Sequence, residues 1–600
     1  MQSNRLAIQG KSTTSAAALG AAFAGPGWVS LVLRIAVVCA VPIFIGLYHD
    51  PNRHYMWNPD WEWKVIYNAM LLNSGEPSQW EGFYGYGLFF LLAQWFKLMQ
   101  ALGWAEFIDL INLPPAPTGE PALQALAFHG RILLIIMACA LVVVTMMLAT
   151  LVSNSRLLGF LVALAFSGSQ AVNTHVVTMR SELPSVLFAT IAAALLIVGV
   201  RDGAHRPVRS LLAIAGAAFA AVFSIYSKAV SLPILLFLPL LPLAFVPLTS
   251  GRQAAALPRG AVVAAGLAAL VAIAAVFNPI RESIGHNALI YNSIISLFIA
   301  GCVFGYSRLR GLGPWDMAAA AAALVAGAGL AQWVLLCDHN AINTVSVVNH
   351  LDYLLTRTQV GAPTVDINNV AVAKDIYQDG LPVVGMVLKL LSNVGRVFSG
   401  SFFDFCWNCR KSEAVYVLAL LGFGVMMWKG DLEDRLRAGL LLIIIVATEA
   451  VLRLYSFNTF YHCYVEVWLA VLLALTAVRT AALAPTRTAA VAVTSVVGVM
   501  SVWMWQAEAK NKMLWDSYAA HIEGSCCGVI LTDPRSQGAT PRKLVNYVLP
   551  FCQINAEGKS VDRPPVPWKT DTRTSFLGSP KPWRRQGDGL ILPNPWRKAD

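Results

Sequence analysis

The stretch VSLVLRIAVVCAVPIFIGL, Val29 to Leu47, contains one charged residue, Arg34. As an α-helix rising 1.5 Å per residue it reaches about 28 Å, enough to cross the hydrocarbon core of a bilayer. Runs of the same kind recur as far as Gln506. Over the 600 residues, 57% are hydrophobic and 13% charged, against about 25% charged in ordinary soluble proteins. The sequence predicts an all-α polytopic membrane protein.

Spans are expected at 29–48, 128–151, 157–173, 183–200, 209–226, 230–248, 260–278, 288–305, 315–336, 412–428, 437–454, 462–479 and 488–505. Alternate connectors then carry Arg156; Arg201, Arg206 and Arg209; Arg252 and Arg259; Arg308 and Arg310; Lys429, Arg435 and Arg437; Arg479 and Arg487. Basic residues mark the cytoplasmic side of short loops. This pattern accounts for the net charge of +11 without nucleic acid as a partner. The odd number of spans divides the chain into a cytoplasmic N-terminus, 1–28, a transmembrane domain, 29–505, and an external tail or small domain, 506–600. Two long loops, 49–127 and 337–411, share the external face. The first span reads as a retained anchor, because no clear cleavage site follows it.

Cys406, Cys409, Cys526, Cys527 and Cys552 fall in external segments, where disulfides persist. Cys406-Trp-Asn-Cys409 has no second pair or histidine cluster at zinc spacing, so a disulfide or two free thiols is expected there, with no metal and no cofactor. In the tail, VILTDP and KLVNYVLPF read as a strand and a helix. The proline-rich stretches PPVPW, SPKPWRRQGDG and LPNPWRK read as extended chain.

The first external loop holds the chemistry. PDWEWKVIYNAMLLNSGE, Pro59 to Glu76, predicts a helix that starts on Asp60 as N-cap and stops at Asn73-Ser74-Gly75. Trp61, Val65 and Leu72 share one face, and Trp61, Trp63 and Tyr67 resemble an interfacial belt, so the helix is expected to lie on the membrane surface. Glu62, two residues after Asp60, points away from it. Gln79-Trp80-Glu81-Gly82-Phe83-Tyr84-Gly85-Tyr86-Gly87 adds another carboxylate in a glycine-broken turn. Leu88–Leu102 reads as a second surface or re-entrant helix, and Arg131 opens the second span. Capping and catalysis both account for Asp60 at this point.

The order of these parts resembles the lipid-linked-sugar glycosyltransferases of the GT-C fold, in particular the protein O-mannosyltransferase and aminoarabinose transferase group. In that group the first external loop carries the catalytic aspartate, which Asp60 matches. Glu81 stands where a second acidic residue is expected, although the Lys-Pro-Pro or His-Pro-Pro turn that follows it in the group is missing here. His129-Gly130-Arg131-Ile132-Leu133, Met179-Arg180-Ser181-Glu182-Leu183, Ser224-Ile225-Tyr226-Ser227-Lys228-Ala229 and Phe460-Tyr461-His462-Cys463-Tyr464 are similar to four further helix openings and turns of the group. The matches span about residues 29–480.

The resemblance implies a polyprenyl-phosphate-linked sugar donor and transfer with inversion. Arg131, Arg180, Lys228 and Arg453 map to external helix ends, against the positive-inside bias. Snorkelling is one reading of them; cations that hold a lipid phosphate are the other. The acceptor hydroxyl must lose a proton as it attacks, so a carboxylate serves as base. Asp60 takes that role, with Glu81 or Glu62 as helper. Of the external histidines His175, His339, His350 and His462, the last is the candidate for a substrate contact. The loop 337–411 is expected to cover the acceptor, which could be a glycan, a lipid or a protein. A transporter or flippase of a lipid-linked sugar is the alternative, as is a structural membrane partner. Transporters carry broken or charged mid-spans and repeated halves, whereas the ionisable residues here gather at external helix ends.

Overall fold

The computed structural model describes residues 27–52, 62–75, 85–114, 120–202, 206–245, 314–336, 383–399, 413–455 and 459–483, with a few isolated positions around 263–301 and 495–502. Among the described residues every regular element is helical. Five helices are long and apolar enough to cross a membrane: Val29–Tyr48, Pro121–Ser153, Glu182–Arg201, Val208–Ser227 and Trp315–Leu335. The chain is an all-α polytopic membrane protein.

The first span is α1, Gly27–Tyr48. The first loop supplies α2, Glu62–Asn73, and α3, Tyr86–Ala101. Then come α4, Glu120–Ser153, α5, Arg156–Ser167, α6, Gln170–Val177, α7, Glu182–Asp202, and α8, Pro207–Ser227. Two short helices follow, α9, Leu232–Phe237, and α10, Leu240–Phe245, before α11, Pro314–Leu336. The last described helices are α12, Val383–Val397, α13, Glu413–Lys429, α14, Leu432–Tyr455, and α15, Cys463–Leu483, the last entered through a 3-10 turn, Thr459–His462.

Small and hydroxyl residues let the spans approach closely, since hydrocarbon gives no hydrophobic drive for helix to meet helix. Antiparallel α7 and α8 exchange serine bonds: Ser185 Oγ donates to the Ser224 carbonyl at 3.1 Å, and Ser224 Oγ donates to the Ser185 carbonyl at 2.7 Å. At the other end of the pair, Ser210 Oγ donates to the Gly199 carbonyl at 2.6 Å. On α11, Gly327 lies so close to the Ala215 backbone of α8 that any side chain would collide with it.

Four expectations change. The span expected at 157–173 breaks at Gly168 into α5 and α6, and the 12 residues of α5 reach only about 18 Å. The span at 230–248 breaks into the two six-residue helices α9 and α10. Pro233, Pro239 and Pro242 remove the amide donors that a continuous helix needs. Helix α4 begins at Glu120 rather than at 128, so Arg131 sits three turns inside it and not at its opening.

The fourth change concerns α2. Val65, Tyr67, Ala69, Met70, Leu71 and Leu72 are all buried, which places the helix inside the protein against α3 and α4 and not on the membrane surface. Its run KVIYNAMLL is apolar almost all round, the signature of an enclosed helix. Trp61 and the side chain of Trp63 lie outside the described residues. The expected stop is correct: α2 ends at Asn73, and Gly75 takes φ +77. Of the expected loop 337–411, the described part holds α12. The spans expected at 260–278, 288–305 and 488–505 lie largely outside the described residues, and the whole tail 506–600 lies outside them.

Candidate functional site

Lys228 is placed by the end of α8. The helix stops on Ser227, and Lys228 takes an extended backbone, φ −166 and ψ 125, while its N–H still donates to the Ser224 carbonyl. Its own carbonyl accepts from Ser185 Oγ and Ser231 Oγ, both at 3.1 Å. The glycine-broken turn before α3 is seated on the same corner. A side chain at Gly85 would collide with the Ser227 carbonyl, and one at Gly87 would meet the Ser227 hydroxyl. Glycine therefore lets the first loop close down on the end of α8.

Fixed in this way, Lys228 donates from Nζ to Oε1 of Glu182, the first residue of α7, at 2.5 Å. Arg180 reaches both oxygens of the same carboxylate, from Nε and from Nη2, each at 3.3 Å. Glu182 is 0% exposed, Lys228 3% and Arg180 7%. Two cations thus share one enclosed carboxylate, and the trio is left with one net positive charge when all three are ionised. Burial pushes the Lys228 ammonium below its ordinary range, while the Glu182 charge pulls it back up. The Lys228 ammonium also lies 5.3 Å from the centroid of the Tyr461 ring, within cation–π range.

One residue before Arg180, the chain joins a second pair. The Met179 N–H donates to Glu62 Oε1 at 2.9 Å. Arg131 donates to Glu62 Oε2 from Nη2 at 2.5 Å and from Nε at 3.2 Å. Its remaining amino group, Nη1, donates to the Pro51 carbonyl at 3.0 Å. Pro51 and Glu62 stand at the two ends of the segment 53–61, so one guanidinium braces both. Arg131 and Glu62 are 1% and 0% exposed. This pair is a brace for the first loop.

Arg453 belongs to a further cluster. On the last turn of α14 it donates to Glu449 Oε1 from Nη2 at 2.6 Å and from Nε at 2.8 Å. Tyr416, on α13, lies within electrostatic reach of Glu449, Glu466 and Arg453. His462, at the end of the 3-10 turn, has Nδ1 3.6 Å from Glu466 Oε1. The neighbouring Cys463 feels the charges of Glu182, Glu466 and Lys228, so the two groups are near neighbours.

The sequence-predicted residues fall out as follows. Arg180 and Lys228 come together on one carboxylate. Arg131 and Glu62 hold each other, next in the chain to that group. His462 follows Tyr461, which lies under Lys228, and Arg453 sits with Glu449. His175 is enclosed on α6. Asp60, Glu81, His339, His350 and the five external cysteines lie outside the described residues. Sequence reasoning passed over Glu449 and Glu466, both 0% exposed. The signal was present: a carboxylate inside LLLIIIVATEAVL or YVEVWLAVLLAL is costly in a membrane and marks a site.

No protein-family model and no curated protein matches the chain. Among solved structures, an oligosaccharyltransferase of Archaeoglobus fulgidus, in complex with zinc and sulfate, is similar at a TM-score of 0.40 and 12% identity. The alignment covers 84% of this chain, which spans 57% of the length of that one. A likeness this distant carries no argument about what the present chain does.

Proposed function

We propose that the protein is a GT-C-like membrane glycosyltransferase that moves a sugar from a polyprenyl-phosphate donor to an acceptor hydroxyl on the external side of the membrane. The observation that carries this reading is the enclosed trio Arg180–Glu182–Lys228, with its net positive charge at one end of the α7–α8 pair. The exposed basic residues Arg201, Arg206 and Arg209 lie at the opposite end of that pair. Separating exposed positive charge on one side from enclosed cations on the other fits a cytoplasmic face and an external anion site.

In this account Arg180 and Lys228 bind the donor phosphate and offset the charge that grows on it as the glycosidic bond breaks. Asp60 accepts the proton of the attacking hydroxyl. Two peptide units separate Asp60 from Glu62, at most about 7 Å between Cα atoms. Arg131, Glu62 and Pro51 brace the segment that carries the base. Glu81 assists at the acceptor, and His462 and Arg453 line its approach. Attack from the face opposite the phosphate inverts the anomeric centre. The site faces the exterior of the plasma membrane, and no nucleotide sugar or cofactor takes part.

Mass spectrometry of lipid-linked sugars and envelope glycans, with and without the gene, tests the reading. Accumulation of a polyprenyl-phosphate sugar together with loss of one glycan substituent supports it. Unchanged profiles of both contradict it.

A further inference from the structure

Between α5 and α7 the chain runs SGSQAVNTHVVTMRSE, Ser167 to Glu182, unusually polar for a segment enclosed in a membrane protein. Ser169, Asn173, Thr174 and Ser181 are 0%, 3%, 1% and 0% exposed. Among the described residues, the hydroxyls of Ser169, Thr174 and Ser181, and Oδ1 of Asn173, have no hydrogen-bond partner. Ser169 is the N-cap of α6 and yet its side chain makes no capping bond. Buried polar atoms are nearly always paired, because leaving them unmet is costly. Four unmet groups within thirteen residues call for an explanation.

Their direction supplies one. On α6, Val172 and Val176 lie one turn apart, and a side chain added at Gly46 of α1 would meet Val176, so that face turns toward α1. Thr174 is two residues from each valine, about 200° around the helix, and so faces the other way. Helix α6 packs against the 3-10 turn Thr459–His462, where Tyr461 meets Lys228. Ser181 stands between Arg180 and Glu182, and His175 lies within electrostatic reach of Glu182. Ser181, next in the chain to both charged groups, and Thr174, off the valine face, are therefore the neutral hydroxyls turned toward the cation site. They match neutral hydroxyls better than phosphate, which the cations already attract, and an isoprenoid chain offers them nothing to bond.

We propose that Thr174 and Ser181 form a subsite that hydrogen-bonds the hydroxyl groups of the transferred sugar while Arg180 and Lys228 hold its phosphate. This inference rests on the donor reading above. It makes the α6–α7 junction the place where one sugar is selected over another.

The test uses full-length protein purified in detergent: wild type, Thr174→Val, Ser181→Ala and the double variant. Thermal unfolding without ligand and binding of two kinds of probe are measured, the probes being a bare polyprenyl phosphate and a panel of polyprenyl-phosphate hexoses and pentoses. The unliganded variants should melt at or above the wild-type temperature, since each loses an unmet polar group. They should bind the bare lipid phosphate as the wild type does. They should bind the preferred sugar lipid about tenfold more weakly for each hydroxyl removed. Lower melting of the unliganded variants, or wild-type affinity for the sugar lipid, overturns the inference. Binding of the bare phosphate with no gain from any sugar overturns it alone. No binding of either probe to the wild type overturns the donor reading and the subsite together.

Discussion

Lys228 and Glu182, 46 residues apart in sequence, meet at 2.5 Å between the end of α8 and the start of α7. Neither is exposed beyond 3%. Removing one partner from a buried pair strands the other charge, at a cost of about 3–5 kcal/mol, whereas removing both together is often neutral. Glu182→Gln strands both Lys228 and Arg180 and should lower stability clearly, and adding Lys228→Met should recover part of that loss. Lys228→Met alone leaves Glu182 paired with Arg180 and should cost less. Chemical or thermal unfolding in detergent reads these losses. Equal and additive losses in the double variant would show that the two residues are not energetically coupled.

Arg131 and Lys228 should separate kinetically. Arg131 braces Pro51 and Glu62, so Arg131→Lys, which gives up the fork that reaches both, should lower kcat by tenfold or more while the donor KM stays within about twofold. Lys228→Met removes a phosphate contact and should raise the donor KM. Steady-state kinetics with varied donor checks the contrast; a raised KM in Arg131→Lys would return Arg131 to the phosphate.

Gly85 is held against the Ser227 carbonyl with no room for a side chain. Gly85→Ala must push the first loop off the end of α8, with a cost of about 1–3 kcal/mol from overpacking. Lower melting together with lost turnover is expected. Gly439, where an added side-chain carbon would meet nothing within 4 Å among the described residues, gives the control: Gly439→Ala should leave both unchanged or slightly raise stability through helix propensity.

The serine exchange between α7 and α8 is the remaining structural test. Ser185→Ala removes one hydroxyl proton shared between the Ser224 and Lys228 carbonyls, and Ser224→Ala removes the shorter bond to the Ser185 carbonyl. Inter-helix bonds of this kind contribute about 0.6–2 kcal/mol in membranes. Both variants should lose stability by about this amount, and Ser185→Ala should be the only one of the two that also weakens donor binding, by loosening Lys228.

The long apolar spans were legible because hydropathy over about twenty residues is a strong signal: 183–200, 209–226 and 315–336 became α7, α8 and α11 with small shifts at the ends. Hydropathy sums apolar character and ignores backbone continuity, so it missed the break at Gly168 and the prolines that divide 230–248. The seating of α2 was misread for a related reason. One face, marked by Trp61, Val65 and Leu72, drew the eye, while the apolar run around the rest of the helix pointed to burial. At the site, cations near helix ends stood out by their cost in a membrane. The Glu62 partner of Arg131 did not, because that pairing depends on how the spans pack. The unmet hydroxyls of Thr174 and Ser181 are invisible in sequence, since only a fold reveals which polar groups lack partners.

The central claim is that Asp60 accepts the proton of the attacking hydroxyl beside a cation-held lipid phosphate. Sugar transfer by purified, reconstituted Asp60→Asn tests it most directly, with donor binding measured on the same sample. The account predicts donor affinity near that of the wild type and a turnover reduced by at least about a hundredfold. Wild-type turnover in Asp60→Asn would contradict it.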